Sequence, residues 1–231
     1  MIRKILRIIT PKSFRKDIAG RRAANRLSKY GYKALTHINE VSDKLNIDYW
    51  LMFGSLLGAY REHHFIKHDD DLDLAILSKN INQTFISSLE EKGFELSSIK
   101  ETNDKRFRMA TFLYNGVVVD FYGFTFDDDS KEMITGFSSY PLEGKTYADS
   151  KALNRYRCYL LHYKYEGLKN SSFGNIEVPI PINAEFILKG LYGESFMKPD
   201  KKEKGNNATI AEILPVEKLH ASIIRKEDLP L

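Results

Sequence analysis

Three aspartates carry most of the chemistry that the sequence predicts: Asp71, Asp73 and Asp120. Asp71 and Asp73 alternate with Leu72 and Leu74, so a strand here would place both carboxylates on one face and the leucines on the other. Carboxylates held side by side repel each other, and a divalent cation relieves that repulsion. We expect Mg²⁺ at this site, with Mn²⁺ as an alternative, because both cations favour carboxylate and phosphate oxygens.

Asp120 lies in a second apolar run, at residues 117–122. An isolated carboxylate in such a strand is costly unless it binds a metal ion, pairs with a cation or takes part in a reaction. We therefore expect Asp120 to complete the metal site or to act as a base. A buried ion pair with an arginine or lysine is the structural alternative.

Gly54 and Ser55 follow a short apolar run and open a predicted helix at residues 55–61. Exposed backbone N–H groups at such a junction bind phosphate, and glycine lets the backbone approach it closely. A phosphate site beside paired carboxylates is typical of enzymes that catalyse phosphoryl or nucleotidyl transfer. In these reactions positioning and charge neutralisation supply most of the catalysis. Further candidate phosphate ligands nearby are Arg61, Lys67 and His68.

The elements that must position these residues form an α/β (α+β) pattern, which predicts a mixed sheet flanked by helices. Apolar residues recur every three or four positions over residues 18–45 and indicate a long helix. Two β-rich segments joined at Asn115 and Gly116 predict a hairpin. Further helices are predicted at residues 150–165 and 184–191.

Composition narrows the possible classes of protein. The chain has 231 residues and a single cysteine, Cys158, which excludes a disulfide framework and a cysteine-rich zinc site and favours a reducing, cytoplasmic compartment. The sequence contains no apolar run long enough to cross a membrane. The net charge is +4, but residues 1–22 carry eight basic residues and one acidic residue, so the remainder is acidic. An acidic body argues against nucleic acid as a partner.

We divide the chain into a basic amphipathic segment at residues 1–22 and a single domain at residues 23–231. In the basic segment, isoleucines and a leucine recur at helical spacing among lysines and arginines, a pattern typical of a helix on an anionic membrane surface. On this interpretation, residues 1–16 make peripheral contact with the inner face of the bacterial cytoplasmic membrane. The alternative is a helix packed on the core with a solvated basic face.

The residues from Gly54 to Asp73 resemble the signature of the LicD-type phosphotransferases, which are related to the fukutin group and have the nucleotidyltransferase fold. That signature is Gly-Ser or Gly-Thr, then Leu-Leu-Gly-Ala, an arginine, Phe-Ile and an Asp-x-Asp run, and it is matched here without a gap. Val178-Pro179 and the segment at residues 186–199 also resemble the family's C-terminal Tyr-Gly and proline element. His68 departs from the pattern, because relatives commonly carry a tryptophan before the aspartates. The cysteines of the fukutin-like zinc insert are absent, so no zinc is expected.

The resemblance implies transfer of a phospho-alcohol, such as phosphocholine or a polyol phosphate, from a CDP-linked donor to a glycan acceptor. The acceptor would be a sugar hydroxyl of lipopolysaccharide, capsule or teichoic acid, either free or lipid-linked. In that scheme Asp71 and Asp73 hold Mg²⁺ against the donor pyrophosphate, and Asp120 deprotonates the acceptor or completes the metal site. Two alternatives remain open: nucleotidyl transfer from an NTP, and a catalytically silent binding or scaffold protein with the same fold.

Overall fold

The computed structural model describes residues 12–199, 210–213, 215 and 218–231, with side chains described outside residues 12–18, 137–140 and 211–213. Residues 1–11, which carry most of the predicted membrane-contact segment at residues 1–16, lie outside the described residues. Among the helices that are described, none is both long enough and apolar enough to cross a membrane.

A long helix, α1, packs along one side of the domain, against α3, β2, β5 and β9. Its apolar stripe includes Leu27, Leu35 and Ile38, all fully buried, which confirms the predicted amphipathic helix. The helix begins at Lys12, before the predicted start at residue 18. The predicted boundary between residues 22 and 23 lies inside it. In the described residues the helices are α1 (Lys12–Leu45), α2 (Phe53–Arg61), α3 (Gln83–Glu91), α4 (Tyr147–Leu153) and α5 (Ala184–Tyr192).

The sheet is mixed, as predicted. Strand β2 pairs in parallel with β5, and β1 pairs antiparallel with β2. Strands β8 and β9 form a separate hairpin. In the described residues the strands are β1 (Tyr49–Leu51), β2 (Asp71–Leu77), β3 (Glu95–Thr102), β4 (Arg108–Tyr114), β5 (Val117–Asp127), β6 (Glu132–Tyr140), β7 (Tyr156–Lys164), β8 (Leu168–Phe173), β9 (Ile176–Pro181), β10 (Ala211–Ile213) and β11 (His220–Ile224).

Antiparallel pairing closes part of the sheet into a ring. Strand β5 pairs with β4 over its first half and with β6 at its end, and the pairing continues from β6 through β7, β11 and β3 back to β4. A small apolar cluster separate from the main core includes Phe107, Cys158 and Leu219. Because β4 pairs with β5 and β3 pairs with β4, residues of β3 and β4 continue the sheet face that β5 presents beside β2.

The β4–β5 hairpin forms where the sequence predicts it. Asn115 and Gly116 both adopt positive φ angles, 49° and 77°, which are the angles that a tight hairpin turn requires. The turn fixes the register between the strands, so that Thr111 lies opposite Asp120. The position of Asp120 in the site therefore depends on the turn at Asn115 and Gly116.

The prediction of a helix at residues 150–165 is wrong beyond Leu153. Asn154 adopts a left-handed conformation, with φ 46°, which ends α4, and the chain then enters β7 at Tyr156. Buried and partly buried residues alternate along much of β7, as they do in a strand. Tyrosine-rich segments such as this one favour strands when they can pair with neighbours. The predicted helix at residues 184–191 is confirmed as α5.

Candidate active site

The three predicted aspartates come together on one face of the sheet. Parallel pairing of β2 with β5 places Asp73 directly beside Asp120, and Asp71 lies two residues earlier on the same face. Each offers a carboxylate oxygen within 4.8 Å of the others. Asp73 and Asp120 are 8% and 9% exposed, so their charges are largely shielded from water. This donor set suits a divalent cation with oxygen ligands.

The start of α2 fixes the position of Asp73. The Asp73 backbone N–H donates to Ser55 Oγ at 3.0 Å, and the Met52 N–H donates to the Asp73 carbonyl at 3.1 Å. Ser55 is 1% exposed, so its side chain lies within the fold and attaches α2 to β2. Its predicted role in binding phosphate therefore depends on its backbone or on a change of hydrogen-bond partner.

Gly54 makes room for a fourth carboxylate, that of Asp69. A Cβ at position 54 would lie 2.7 Å from Asp69 Oδ2, so no residue larger than glycine fits unless one of the two moves. Asp69 Oδ2 is buried and has no hydrogen-bond partner among the described residues. Asp69, Asp70 and Asp71 also place carboxylate oxygens within 4.8 Å of one another. An unpaired buried carboxylate oxygen beside the three aspartates fits a site that holds a cation.

A strained residue, the first of α2, lies at the turn from β1 into that helix. Phe53 has a φ of 48°, an uncommon conformation for a residue with a Cβ and one that is concentrated at functional sites. Its ring packs edge-on against Tyr122 at a centroid distance of 4.8 Å. The Tyr122 hydroxyl in turn donates to Asp73 Oδ1 at 3.3 Å. The strained turn is thus coupled through Tyr122 to a candidate metal ligand.

Two further side chains at the site were missed by the sequence analysis. Thr111 Oγ1 donates to Asp120 Oδ1 at 2.6 Å, which leaves Oδ2 of that carboxylate for another partner. Lys100, from β3, interacts electrostatically with Asp120. Neither residue belongs to a recognisable motif, and both reach the site through pairing of β3, β4 and β5. Only the strand register could have indicated them.

The clustering of carboxylates raises their pKa values. Burial, followed by the charges of Asp69, Asp70 and Asp120, raises the pKa of Asp71 to about 7. Burial and the neighbouring Asp70 raise the pKa of Asp69 to about 6. Burial and the charges of Asp71 and Asp120 hold the pKa of Asp73 well above its usual range. Ionisation of the whole cluster near neutral pH is therefore unfavourable until a cation binds.

Arg61 has partners away from the carboxylates. Its side chain is 6% exposed, Nη2 donates to Glu62 Oε1 at 2.9 Å, and Nη1 donates to the Phe196 carbonyl at 3.0 Å. These contacts attach the end of α2 to the segment after α5. The guanidinium that the sequence analysis assigned to phosphate is therefore already engaged within the protein.

We expect Arg61→Met to reduce the free energy of unfolding by about 2–3 kcal/mol, because the change removes hydrogen bonds of a nearly buried charge and leaves Glu62 without its cation. Urea unfolding measures this loss. If Arg61 instead binds phosphate in the folded protein, the variant would keep its stability and show a raised KM for a phosphorylated substrate.

Lys67 and His68 are exposed and border a surface cavity of about 1230 Å³. The opposite wall is α1, where Arg21 and Arg26 contribute further positive charge, and Asp70 lies at the side of the aspartate cluster. Arg26 Nε donates to the Gly116 carbonyl at 2.7 Å, which holds that wall against the β4–β5 hairpin. The cavity is large enough for an anionic ligand of nucleotide size, and Asp70, which clusters with Asp69 and Asp71, borders it.

A mixed sheet whose adjacent parallel strands present three clustered carboxylates is the arrangement expected of a nucleotidyltransferase-like protein. Residues 46–183, more than half of the chain, match the family described as LicD/FKTN/FKRP, nucleotidyltransferase domain. The chain belongs to this family. The match includes all three aspartates of the site and the start of α2.

Two curated relatives match shorter segments. An uncharacterized protein of Rickettsia prowazekii (strain Madrid E) is 39% identical over 82 residues, which is 35% of this chain and 29% of that protein. An uncharacterized protein of Rickettsia typhi (strain ATCC VR-144 / Wilmington) is 41% identical over 49 residues, 21% of this chain and 16% of that protein. The matched segments thus span less than a third of either relative.

Proposed function

We propose that this protein transfers a phospho-alcohol, such as phosphocholine or a polyol phosphate, from a CDP-linked donor to a sugar hydroxyl of a cell-surface glycan, with Mg²⁺ as its metal ion. The observation that carries the proposal is the cluster of Asp71, Asp73 and Asp120, whose carboxylate oxygens lie within 4.8 Å of one another. Membership of the LicD family supports the transferase class. The donor and acceptor are inferred from the resemblance of the aspartate block to that family.

The residues present fit a divalent cation, because the buried Asp69 Oδ2 has no hydrogen-bond partner in the part of the chain that the structure describes and the nearby carboxylates repel one another. Asp71 and Asp73 would hold the ion, and Asp120 would either complete the metal site or act as the base. When bound, the ion would neutralise charge on the donor diphosphate and on the transferring phosphoryl group. Tyr122 and Thr111 orient the carboxylates by donating to one oxygen of Asp73 and one of Asp120.

In the proposed reaction a new bond forms between the sugar oxygen and the β-phosphorus of the donor. The bond from that phosphorus to the bridging oxygen breaks, and CMP leaves with the bridging oxygen and its electron pair. If Asp120 does not bind the ion, it would accept the hydroxyl proton, since burial raises its pKa and Thr111 donates only to its Oδ1. Lys67, His68 and Arg21 line the cavity in which the nucleotide part of the donor would lie.

The test is incubation of the purified protein with CDP-choline, CDP-ribitol, CDP-glycerol and the four NTPs, with and without Mg²⁺, together with a glycan extract. CMP and pyrophosphate are quantified by chromatography. We expect Mg²⁺-dependent CMP release from one CDP donor, accompanied by a glycan product that carries the phospho-alcohol of that donor. Asp71→Asn should abolish that release, because it removes a candidate metal ligand.

Asp128→Asn is the matched control, since Asp128 lies in the exposed β5–β6 turn and its side chain is 88% exposed. It removes the same charge without altering the cluster, so its activity should equal that of the unaltered protein. Pyrophosphate release from an NTP would replace the proposal with nucleotidyl transfer. Absence of turnover with every donor, together with absence of CDP-donor binding, would favour the silent scaffold.

A further inference from the structure

A second, smaller cavity adjoins the large one. Its volume is about 320 Å³, at the lower end of the range of ligand-binding cavities. Ala24, Asn25 and Lys67 line both cavities, so the two meet at these residues. Ser28 and Tyr32 line the small cavity. It therefore extends the large cavity toward the C-terminal end of α1.

Packed aromatic residues form one wall of the small cavity. The ring centroids of Tyr32 and Phe65 lie 4.8 Å apart, and both rings pack against Phe173, at 5.6 Å and 4.7 Å. The Gly174 N–H donates to the His63 carbonyl at 2.7 Å, which holds the β8–β9 turn against the loop after α2. These contacts make the wall rigid, and a rigid wall lowers the entropic cost of binding a ligand.

The loop between α2 and β2 connects the small cavity to the aspartates. Phe65 and Ile66 line the small cavity, and Asp70 lines the large one. The Asp69 N–H donates to the Ile66 carbonyl at 3.0 Å, so the loop folds back on itself between the two cavities. The Asp69 carboxylate lies within 4.8 Å of those of Asp70 and Asp71. The wall of the small cavity is therefore hydrogen-bonded directly to a member of the acidic cluster.

The two cavities differ in charge. Arg21, Arg26 and Lys67 line the large cavity. Among the described residues that line the small cavity, only Lys67 carries a permanent charge, and it lies at the junction. Asn25 and Ser28 supply a neutral amide and a hydroxyl there. An anionic diphosphate thus suits the large cavity, and a neutral polar group attached to it suits the small one.

The direction of transfer indicates which part of a substrate lies in the small cavity. In phosphoryl transfer the attacking and leaving oxygens lie roughly in line, on opposite sides of the phosphorus. If the CMP part of the donor lies in the large cavity, the acceptor hydroxyl must approach from the other side. The small cavity continues the large one, so it lies on the side of CMP rather than on the side of the acceptor.

We propose that the small cavity binds the nucleoside of the CDP-linked donor, while the phosphates of the donor extend past Lys67 to the aspartate cluster. This assignment rests on the proposed function and makes α1 part of the active site. The ligand class is a pyrimidine nucleoside phosphate. Asn25, Ser28 and Tyr32 precede residues 46–183, which match the family, so they extend the site beyond the matched segment.

Ser28→Phe tests the assignment by filling the small cavity. Ser28 is exposed on α1, and serine and phenylalanine have similar helix propensities, so the variant should fold. CMP should bind the variant at least about tenfold more weakly than it binds the unaltered protein, because the phenyl ring occupies the place of the nucleoside. Inorganic pyrophosphate with Mg²⁺ should bind both proteins equally, since it has no nucleoside. Isothermal titration calorimetry measures both affinities.

Thr84→Phe is the matched control. Thr84 is exposed on α3 and is not among the described residues that line either cavity. This variant should bind CMP and pyrophosphate as the unaltered protein does. Ser28→Leu provides a second cavity-filling variant if the phenylalanine variant unfolds, because leucine favours helices. With the CDP donor identified above, Ser28→Phe should raise the KM for the donor and leave kcat nearly unchanged.

Equal CMP affinity in Ser28→Phe and Thr84→Phe would overturn the assignment, as would the absence of CMP binding to the unaltered protein. A raised KM for the glycan with unchanged CMP affinity would also overturn it and assign the small cavity to the acceptor sugar. Equal weakening of CMP and pyrophosphate would overturn it in favour of a general disturbance of the site. The binding measurements need no turnover. If Ser28→Phe selectively weakens CMP binding but the unaltered protein processes no CDP donor, the proposed function fails while the nucleoside site stands.

Discussion

Asp73→Asn is expected to abolish transfer and at the same time to stabilise the metal-free protein. Asp73 is 8% exposed, and the charges of Asp71 and Asp120 add to its unfavourable burial. Asparagine has the same shape and can still accept the hydrogen bond from Tyr122. The substitution therefore removes like-charge repulsion without creating a cavity, and it should add about 1–3 kcal/mol to the free energy of unfolding at pH 8.

The same change removes a candidate metal ligand. Activity with the donor identified above should fall by about 1000-fold or more, because a loss of about 4 kcal/mol of transition-state stabilisation corresponds to that factor. The rise in melting temperature that Mg²⁺ or Mn²⁺ causes in the unaltered protein should also disappear. Thermal unfolding with and without the metal, together with the CMP assay, measures the three effects.

Asp128→Asn again serves as the control and should change none of these quantities. The decisive observation is the combination of higher metal-free stability and lost metal response. A variant that is less stable in the absence of metal, yet still active, would mean that Asp73 serves the fold rather than the chemistry.

The aspartates of β2 could be predicted from sequence because the relevant signal is local. Alternation with leucines fixes which face Asp71 and Asp73 share, whatever the rest of the chain does. The turn at Asn115 and Gly116 is equally local, since its positive φ angles are a property of those two residues. Asp120 follows from the same reasoning, being a lone carboxylate in an apolar strand.

The surroundings of the aspartates could not be predicted, because they depend on contacts between distant segments. Thr111 and Lys100 enter the site only through the register of three paired strands. Arg61 meets the Phe196 carbonyl across 135 residues of sequence, a partner that no spacing rule indicates. Ser55 likewise meets Asp73 through the docking of α2 on β2.

Strand β7 shows how tertiary pairing overrides a weak local pattern. The segment after Ser150 carries no strong turn signal, and its tyrosines and leucines are compatible with either period. Pairing with β6, β10 and β11 on its two edges decides the outcome in favour of a strand. Closure of the ring between β6 and β11 depends on this strand.

The stability of the metal-free protein is expected to fall as pH rises from about 4 to about 7. Burial and neighbouring charges raise the pKa of Asp71 to about 7 and that of Asp69 to about 6, whereas an aspartate in an unfolded chain has a pKa of about 3.9. In this window the folded state binds more protons than the unfolded state. The free energy of unfolding therefore decreases with increasing pH, by roughly 2–4 kcal/mol through Asp71 and its coupled neighbours.

Urea unfolding followed by the fluorescence of Trp50, the single tryptophan, measures this dependence because Trp50 is 1% exposed in the folded state. The comparison that isolates the effect is the unaltered protein against Asp71→Asn at each pH. Their difference should be small near pH 4 and should grow in favour of the variant up to about pH 7. Carboxylates elsewhere contribute equally to both proteins and cancel.

Excess Mg²⁺ should reverse the sign of this dependence. The ion binds ionised carboxylates, so its affinity increases as the cluster loses protons, and the unaltered protein should then gain stability through the same pH window. Asp71→Asn should gain much less. A pH dependence that is identical in the two proteins, or unaffected by Mg²⁺, would mean that the aspartates keep ordinary pKa values and do not form a cation site. The reversal is expected because the ionised carboxylates destabilise the folded state until a cation binds them.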